Sequence, residues 1–263
     1  VKKILLLCMA LIGSLLLVAG CGGNTASKDG GSDKAKVLKV ATNADFAPFE
    51  FQGADGKEYQ GFDMDLIRAL GKEMGMQVKI DNISFDGLIP ALQTGNIDVA
   101  ISGMSINDDR KKKVAFSDPY YEAGLTIMVK ADNNNIKSFK DLQGKKIAVQ
   151  IGTTSATEAK KIPNAEVKEL NSSADTFLEL KAGNVDAVIN DKPVNDYYKV
   201  KNSDDSVKRI GEKLTSENYG IAMNKDNTEL VKNLNEALKK LKANGEYNKI
   251  YKKWFGTDAP AAK

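Results

Sequence analysis

LQTGNIDVAIS at residues 92–102 and LKAGNVDAVIN at residues 180–190 share the pattern LxxGNxDxxI, 88 positions apart. In each, a leucine ends an apolar helical face, Gly-Asn breaks the helix, and a short apolar run reads as a buried strand. A helix end, a turn and a strand stated once in each half predict two α/β units built to one plan. The residues just beyond the shared pattern differ: Ser102, Gly103 and Ser105 follow the first copy, while Asn190 and Asp191 close the second.

The flanking sequence extends that grammar. VLKVATNA (37–44) alternates as a strand does. DMDLIRALGKEMG places Leu66, Ile67, Leu70 and Met74 at helical spacing, with Asp63 expected to cap the start and Gly75 the end. Val78 and Ile80 suggest a strand, and SFDGLIPALQTG a short helix. In the second half GLTIMVK (124–130), IAVQ, AEVKEL and NVDAVIND read as strands, and GTTSATEAKKI and SADTFLELKAG as helices. Two helices follow, TELVKNLNEALKKLKANG with Leu230, Leu234, Leu238 and Leu241 on one stripe, and EYNKIYKKWFG. Strands alternating with helices imply mostly parallel sheets covered by helices. Two such units without a floppy linker imply two lobes with a cleft between them.

Composition narrows the chemistry. Residues 1–20, VKKILLLCMALIGSLLLVAG, read as a secretory signal peptide, two lysines followed by an apolar run. The string ending at Cys21 resembles a bacterial lipobox, in which cleavage precedes the cysteine and its sulfur is acylated; an uncleaved or soluble-export signal is the alternative. Two acyl chains on Cys21 would hold the protein on the outer side of the cell membrane, and residues 21–36, small and polar, would form a flexible tether. Cys8 and Cys21 are the only cysteines, so the processed chain would keep no free thiol. The chain has no histidine, which removes Ser-His-Asp and Cys-His pairs and an ordinary zinc site. No metal or cofactor is expected. Removing Lys2 and Lys3 leaves 36 basic against 35 acidic residues, a balance that gives no reason to expect a nucleic-acid partner.

Ligands of open α/β sheets bind beyond the carboxyl ends of the strands. The loops there are NADF, SFDG and SGMSINDDR in the first unit, and QIGTTS and INDKP in the second. Arg110 is one of only three arginines beside 35 lysines. Its planar guanidinium suits a carboxylate, the alternative being an ion pair with Asp108 or Asp109. GTTS offers backbone N–H groups for the same carboxylate around Thr154. Asp191 would pair with an ammonium group or else serve as a turn aspartate before Pro193. Phe46 and Phe85 would wall the site or belong to the core. Together these groups complement an α-amino acid.

From residue 37 onward, ATNADFAPFEF, GFDMDL, IPALQTGNIDVAISGMSINDDRKK, FSDPYY and YNKIYKKWFG resemble bacterial extracellular solute-binding proteins of family 3, the receptor subunits of polar amino-acid ABC importers, with the glutamine-binding members nearest. The resemblance implies a two-lobed periplasmic-binding-protein fold (type II), with lobe 1 over 37–119 plus 221–256, lobe 2 over 125–216, and hinges at 120–124 and 217–220. It implies a monomer, not an enzyme, that delivers its ligand to a membrane permease. The family's carboxylate clamp falls on Arg110, Ser105 and Thr154, its ammonium site on Asp191 with Ser102 or Gly103, and its aromatic sandwich on Phe46 and Phe85. At the side-chain end Asn43, Gln150 and Asn190 stand where glutamine-binding relatives carry charged or titratable groups, and Thr154 where they carry glycine. Amides there favour glutamine. Basic amino acids are the alternative, with Asp45 or Glu50 as the acidic partner, and a secreted dehydratase on the same fold, using one of those carboxyl groups as an acid, is a more distant one.

Overall fold

The computed structural model describes residues 36–201 and 205–260. The expected signal peptide, Cys21 and the tether up to residue 35 lie outside the described residues. Two five-stranded sheets organise the chain. The first has the order Gln77–Asn82, Val37–Thr42, Val99–Ala100, Ala222–Met223, Ala115–Phe116. The first three strands run parallel and Ala222–Met223 opposes both its neighbours. The second has the order Glu166–Leu170, Lys146–Gln150, Ala187–Asp191, Leu125–Lys130, Val207–Ile210. Again three parallel strands lead into antiparallel pairs. The chain passes between the sheets through Tyr121–Ala123 and returns through Glu217–Tyr219, and these two segments pair antiparallel.

The repeated LxxGNxD stretches do the same work in both sheets. Leu92 and Leu180 are fully buried, and Gly95 and Gly183 adopt φ of 72° and 78°, which a side chain would strain. Each aspartate then pins the next strand to its parallel neighbour. Asp98 N–H donates to Lys39 O at 2.9 Å while its Oδ2 accepts from Lys39 N–H at 2.8 Å. Asp186 repeats both bonds with Lys146, each at 2.8 Å. A one-residue slip would lose both bonds and turn the buried side chains outward. This pairing fixes where the third parallel strand of each sheet ends, and so where the following loop begins.

Among the described residues, eight α-helices cover the sheets: α1 (Phe62–Glu73), α2 (Leu88–Gln93), α3 (Asp108–Lys111), α4 (Thr154–Ala159), α5 (Ser173–Ala182), α6 (Lys192–Lys201), α7 (Thr228–Ala243) and α8 (Glu246–Phe255). The predicted leucine stripe of α7 is buried. With Tyr247 and Ile250 of α8 it belongs to the same core as Leu66, Ile67 and Leu70 of α1. Asp63 is not the cap of α1. Gly61 holds that position with φ 131°, because a Cβ there would lie 2.0 Å from Phe49 O, and Asp63 turns inward with no exposure. Sequence periodicity also overlooks α6, whose face is mostly polar. It is anchored instead by buried Asn195, whose amide donates to Thr126 Oγ1 at 2.9 Å and Asn190 O at 3.2 Å, and by Pro193 in its first turn, where no N–H is needed.

Candidate ligand-binding cleft

One cavity collects the carboxyl ends of strands from both sheets, with Asn43 and Ser102 following strands of the first, and Gln150 and Asp191 ending strands of the second. The empty space between its walls, open solvent included, is about 290 Å³. Phe46, Phe85, Gly103, Ser105, Arg110 and Thr154 also line it. Of the side chains expected at the site, Asn190 stands apart. Its amide donates to Ser173 Oγ at 2.9 Å and its oxygen accepts the Asp191 N–H at 2.8 Å. Asn190 therefore holds neighbouring backbone and lies outside the lining.

Arg110 reaches the cavity because α3 is capped and its other charges are occupied. Asn107 Oδ1 accepts the Arg110 N–H at 2.9 Å, and Asp108 and Asp109 pair outward with Lys111 and Lys112 at 3.8 and 2.7 Å. The guanidinium, in a residue only 8% exposed, donates to Ser105 O at 2.7 Å and to Gly152 O at 3.0 Å. Its carbon lies 5.3 Å from the centre of the Phe85 ring, within range of a cation–π attraction. Burial lowers its pKa to about 10, against the pull of Glu217 and Asp191, so it stays a cation at neutral pH. Glu217, on the returning strand, accepts from Thr154 Oγ1 at 2.8 Å and from Thr215 Oγ1 at 2.7 Å.

Asp191 is the opposite pole. It is 6% exposed, and the buried, otherwise unpartnered Tyr219 hydroxyl neighbours its buried carboxylate. Burial first, then repulsion from Glu217, raises its pKa to about 7. Phe46 and Phe85, at 7% and 9% exposure, belong both to the core and to the cavity wall. Gly103, at φ 51°, allows the close approach of the Phe46 ring, whose Cε1 lies 2.7 Å from where a Cβ would sit.

The remaining wall joins the two sheets directly. Gln150 Nε2 donates to Asn43 Oδ1 at 2.6 Å and to Asn171 O at 3.0 Å. Asp45 is outside the lining: its Oδ2 accepts the Ser173 N–H at 3.2 Å, and its Oδ1 is buried without a geometric hydrogen-bond partner. Burial raises the Asp45 pKa, opposed by hydrogen bonds that include Gln150. Sequence reasoning overlooked Thr153 and named Glu50 only as an acid, whereas both line the cavity. The signal for Glu50 is its place in APFEF: an acid enclosed by aromatics on an alternating strand faces the interior. Among the described residues no cluster of His, Cys, Asp or Glu is arranged to hold a metal, and no helix is long and apolar enough to cross a membrane.

Comparison with known proteins gives a consistent picture. The sequence model of the bacterial extracellular solute-binding proteins, family 3, matches residues 38–257. The arginine-binding extracellular protein ArtP of Bacillus subtilis (strain 168) is 36% identical over 259 residues, 97% of this chain and 98% of the relative. The ABC transporter glutamine-binding protein GlnH of the same organism is 33% identical over 272 residues, covering 98% of both chains. Among solved structures, an ancestral arginine-binding protein bound to arginine superposes with a TM-score of 0.81 at 48% identity, over 84% of this chain and 98% of that one.

Proposed function

The chain belongs to the bacterial extracellular solute-binding proteins, family 3, and from that premise we propose that it captures a polar L-amino acid between two lobes and delivers it to an ABC permease. Amino-acid binding in transport is the common ground of its relatives. The observation that carries the reading is the placing of buried Arg110 and buried Asp191 in the lining of one cavity. The guanidinium takes the α-carboxylate with help from Ser105 and the Thr154 backbone. Asp191 takes the α-ammonium group with Ser102 and Gly103, and Phe46 and Phe85 enclose the aliphatic part. Closure removes water from both ion pairs and strengthens them. The lobes correspond to residues 37–119 plus 221–256 and 125–216, with 120–124 and 217–220 as hinges. Acylation of Cys21 keeps the protein at the outer face of the membrane.

The side chain of the ligand meets Asn43 and Gln150, next to Asp45. The Asp45 oxygen that lacks a donor and the similarity to arginine-binding relatives favour arginine. A second reading, glutamine, is favoured by the Asn43–Gln150 amide pair, which offers a donor and acceptor surface to a carboxamide. A thermal-shift screen of the amino acids tests both readings, since a ligand at 100 times its Kd adds about 2.7 kcal/mol of stability. Stabilisation by arginine that is weakened in Asp45→Asn, with any response to glutamine unaffected, supports the first; the reverse preference supports the second. No response to any amino acid contradicts the proposal.

A further inference from the structure

Behind the loop bearing Ser102 and Gly103 lie two carboxyl side chains, Glu50 and Asp63, neither with any exposure. Glu50 belongs to the short strand Glu50–Gln52, and Asp63 to the first turn of α1. Glu50 Oε1 accepts from Ser102 Oγ at 2.9 Å, and Ser102 Oγ accepts the Asn43 N–H at 3.0 Å. Asp63 Oδ2 accepts the Gly103 N–H at 2.9 Å and the Tyr120 O–H at 2.7 Å. The other oxygens, Glu50 Oε2 and Asp63 Oδ1, are both buried without a partner.

The two orphan oxygens explain each other. The side chains are neighbours: the consecutive residues Ser102 and Gly103 donate to one each, and the Asp63 N–H donates at 2.9 Å to the carbonyl of Phe49, the residue before Glu50, so two ionised carboxylates there would repel in a dehydrated interior. The titratable groups facing them are Asp45 toward Glu50, Tyr120 toward both, and Tyr247 toward Asp63, none of which is a cation. A single proton between Oε2 and Oδ1 satisfies both atoms. Asp63 already accepts two donors whereas Glu50 accepts one, so the charge belongs on Asp63 and the proton on Glu50.

We propose that Glu50 and Asp63 share one proton, with the Glu50 O–H donating to ionised Asp63, and that this pair positions the Ser102–Gly103 backbone for the ammonium group of the ligand. The positioning role rests on the amino-acid reading above, while the shared proton does not. On this assignment Glu50 lines the cavity as a neutral group and supplies no charge to a basic side chain.

Glu50→Gln separates the alternatives, because an amide keeps both bonds: its N–H₂ donates to Asp63 and its oxygen accepts from Ser102. Calorimetry should show Glu50→Ala losing at least about tenfold in affinity, because Ser102 Oγ loses its acceptor and Asp63 its proton donor, with Glu50→Gln recovering most of that loss. A loss of about tenfold or more in Glu50→Gln would overturn the assignment in favour of an ionised, ligand-facing Glu50. Infrared difference spectroscopy of the ligand-free parent minus Glu50→Gln should show the C=O stretch of a protonated carboxyl group at neutral pH. Its absence from the difference spectrum, with the variant folded, overturns the shared proton whatever the ligand. If the parent binds no amino acid, the functional reading fails and the infrared result still decides the pair.

Discussion

The two copies of LxxGNxD are nearly superimposable in what they do locally, yet the residues that follow carry opposite charges and opposite tasks. In the first half the pinned strand leads through Ser102 and Gly103 to α3 and the buried guanidinium of Arg110; in the second it ends at the buried carboxylate of Asp191. The same register device thus delivers a cation from one sheet and an anion from the other. Scaffold is repeated and chemistry is not, so substitutions in equivalent scaffold positions should behave alike, and substitutions beyond them should not.

The largest effect is expected at the poles. Arg110→Ala should reduce amino-acid affinity by at least about 2 kcal/mol in calorimetry, since truncating one side of a buried charge pair leaves the other uncompensated. Asp191→Asn should cost a comparable or somewhat smaller amount. In the parent protein the Asp191 carboxyl, raised to about 7 by burial, must be ionised to hold an ammonium ion. Affinity should therefore be greatest above pH 7 and fall as pH drops below it, a slope that Asp191→Asn removes. The sign reverses for the ligand-free protein: a carboxyl whose pKa is raised by folding makes stability rise, not fall, as pH decreases through that value.

Smaller effects should be symmetric. Asp98→Ala and Asp186→Ala each lose one backbone-register bond and should lower unfolding free energy in urea by about 1 kcal/mol, equally in both halves. Neither should change affinity by as much as the pole substitutions, and a large loss from one alone would break the equivalence. The smallest effect belongs to Asp109→Ala, which removes an exposed pair with Lys112 and should leave affinity unchanged.

Much of this layout is legible in the sequence because helix ends, strand runs and rare residue types leave local marks. Arg110 is conspicuous among lysines, and Asp191 ends a buried run. What is not legible depends on partners distant in the chain. Asp63 has the spacing of a helix cap, yet it faces Gly103 and Tyr120, 40 and 57 residues away. Asp98 and Asp186 look like turn aspartates until the neighbouring strand is known. Asn190 has the right position for a ligand contact, but Ser173 occupies its amide. Helix α6 escaped because buried Asn195, not an apolar stripe, anchors it.

The opposed poles make one comparison decisive. Calorimetric titration with L-arginine and with agmatine, the same molecule without its α-carboxylate, probes the Arg110 side while leaving the guanidinium end unchanged. The account predicts that L-arginine binds and that agmatine is weaker by at least about 2 kcal/mol. Equal affinity for the two would contradict it.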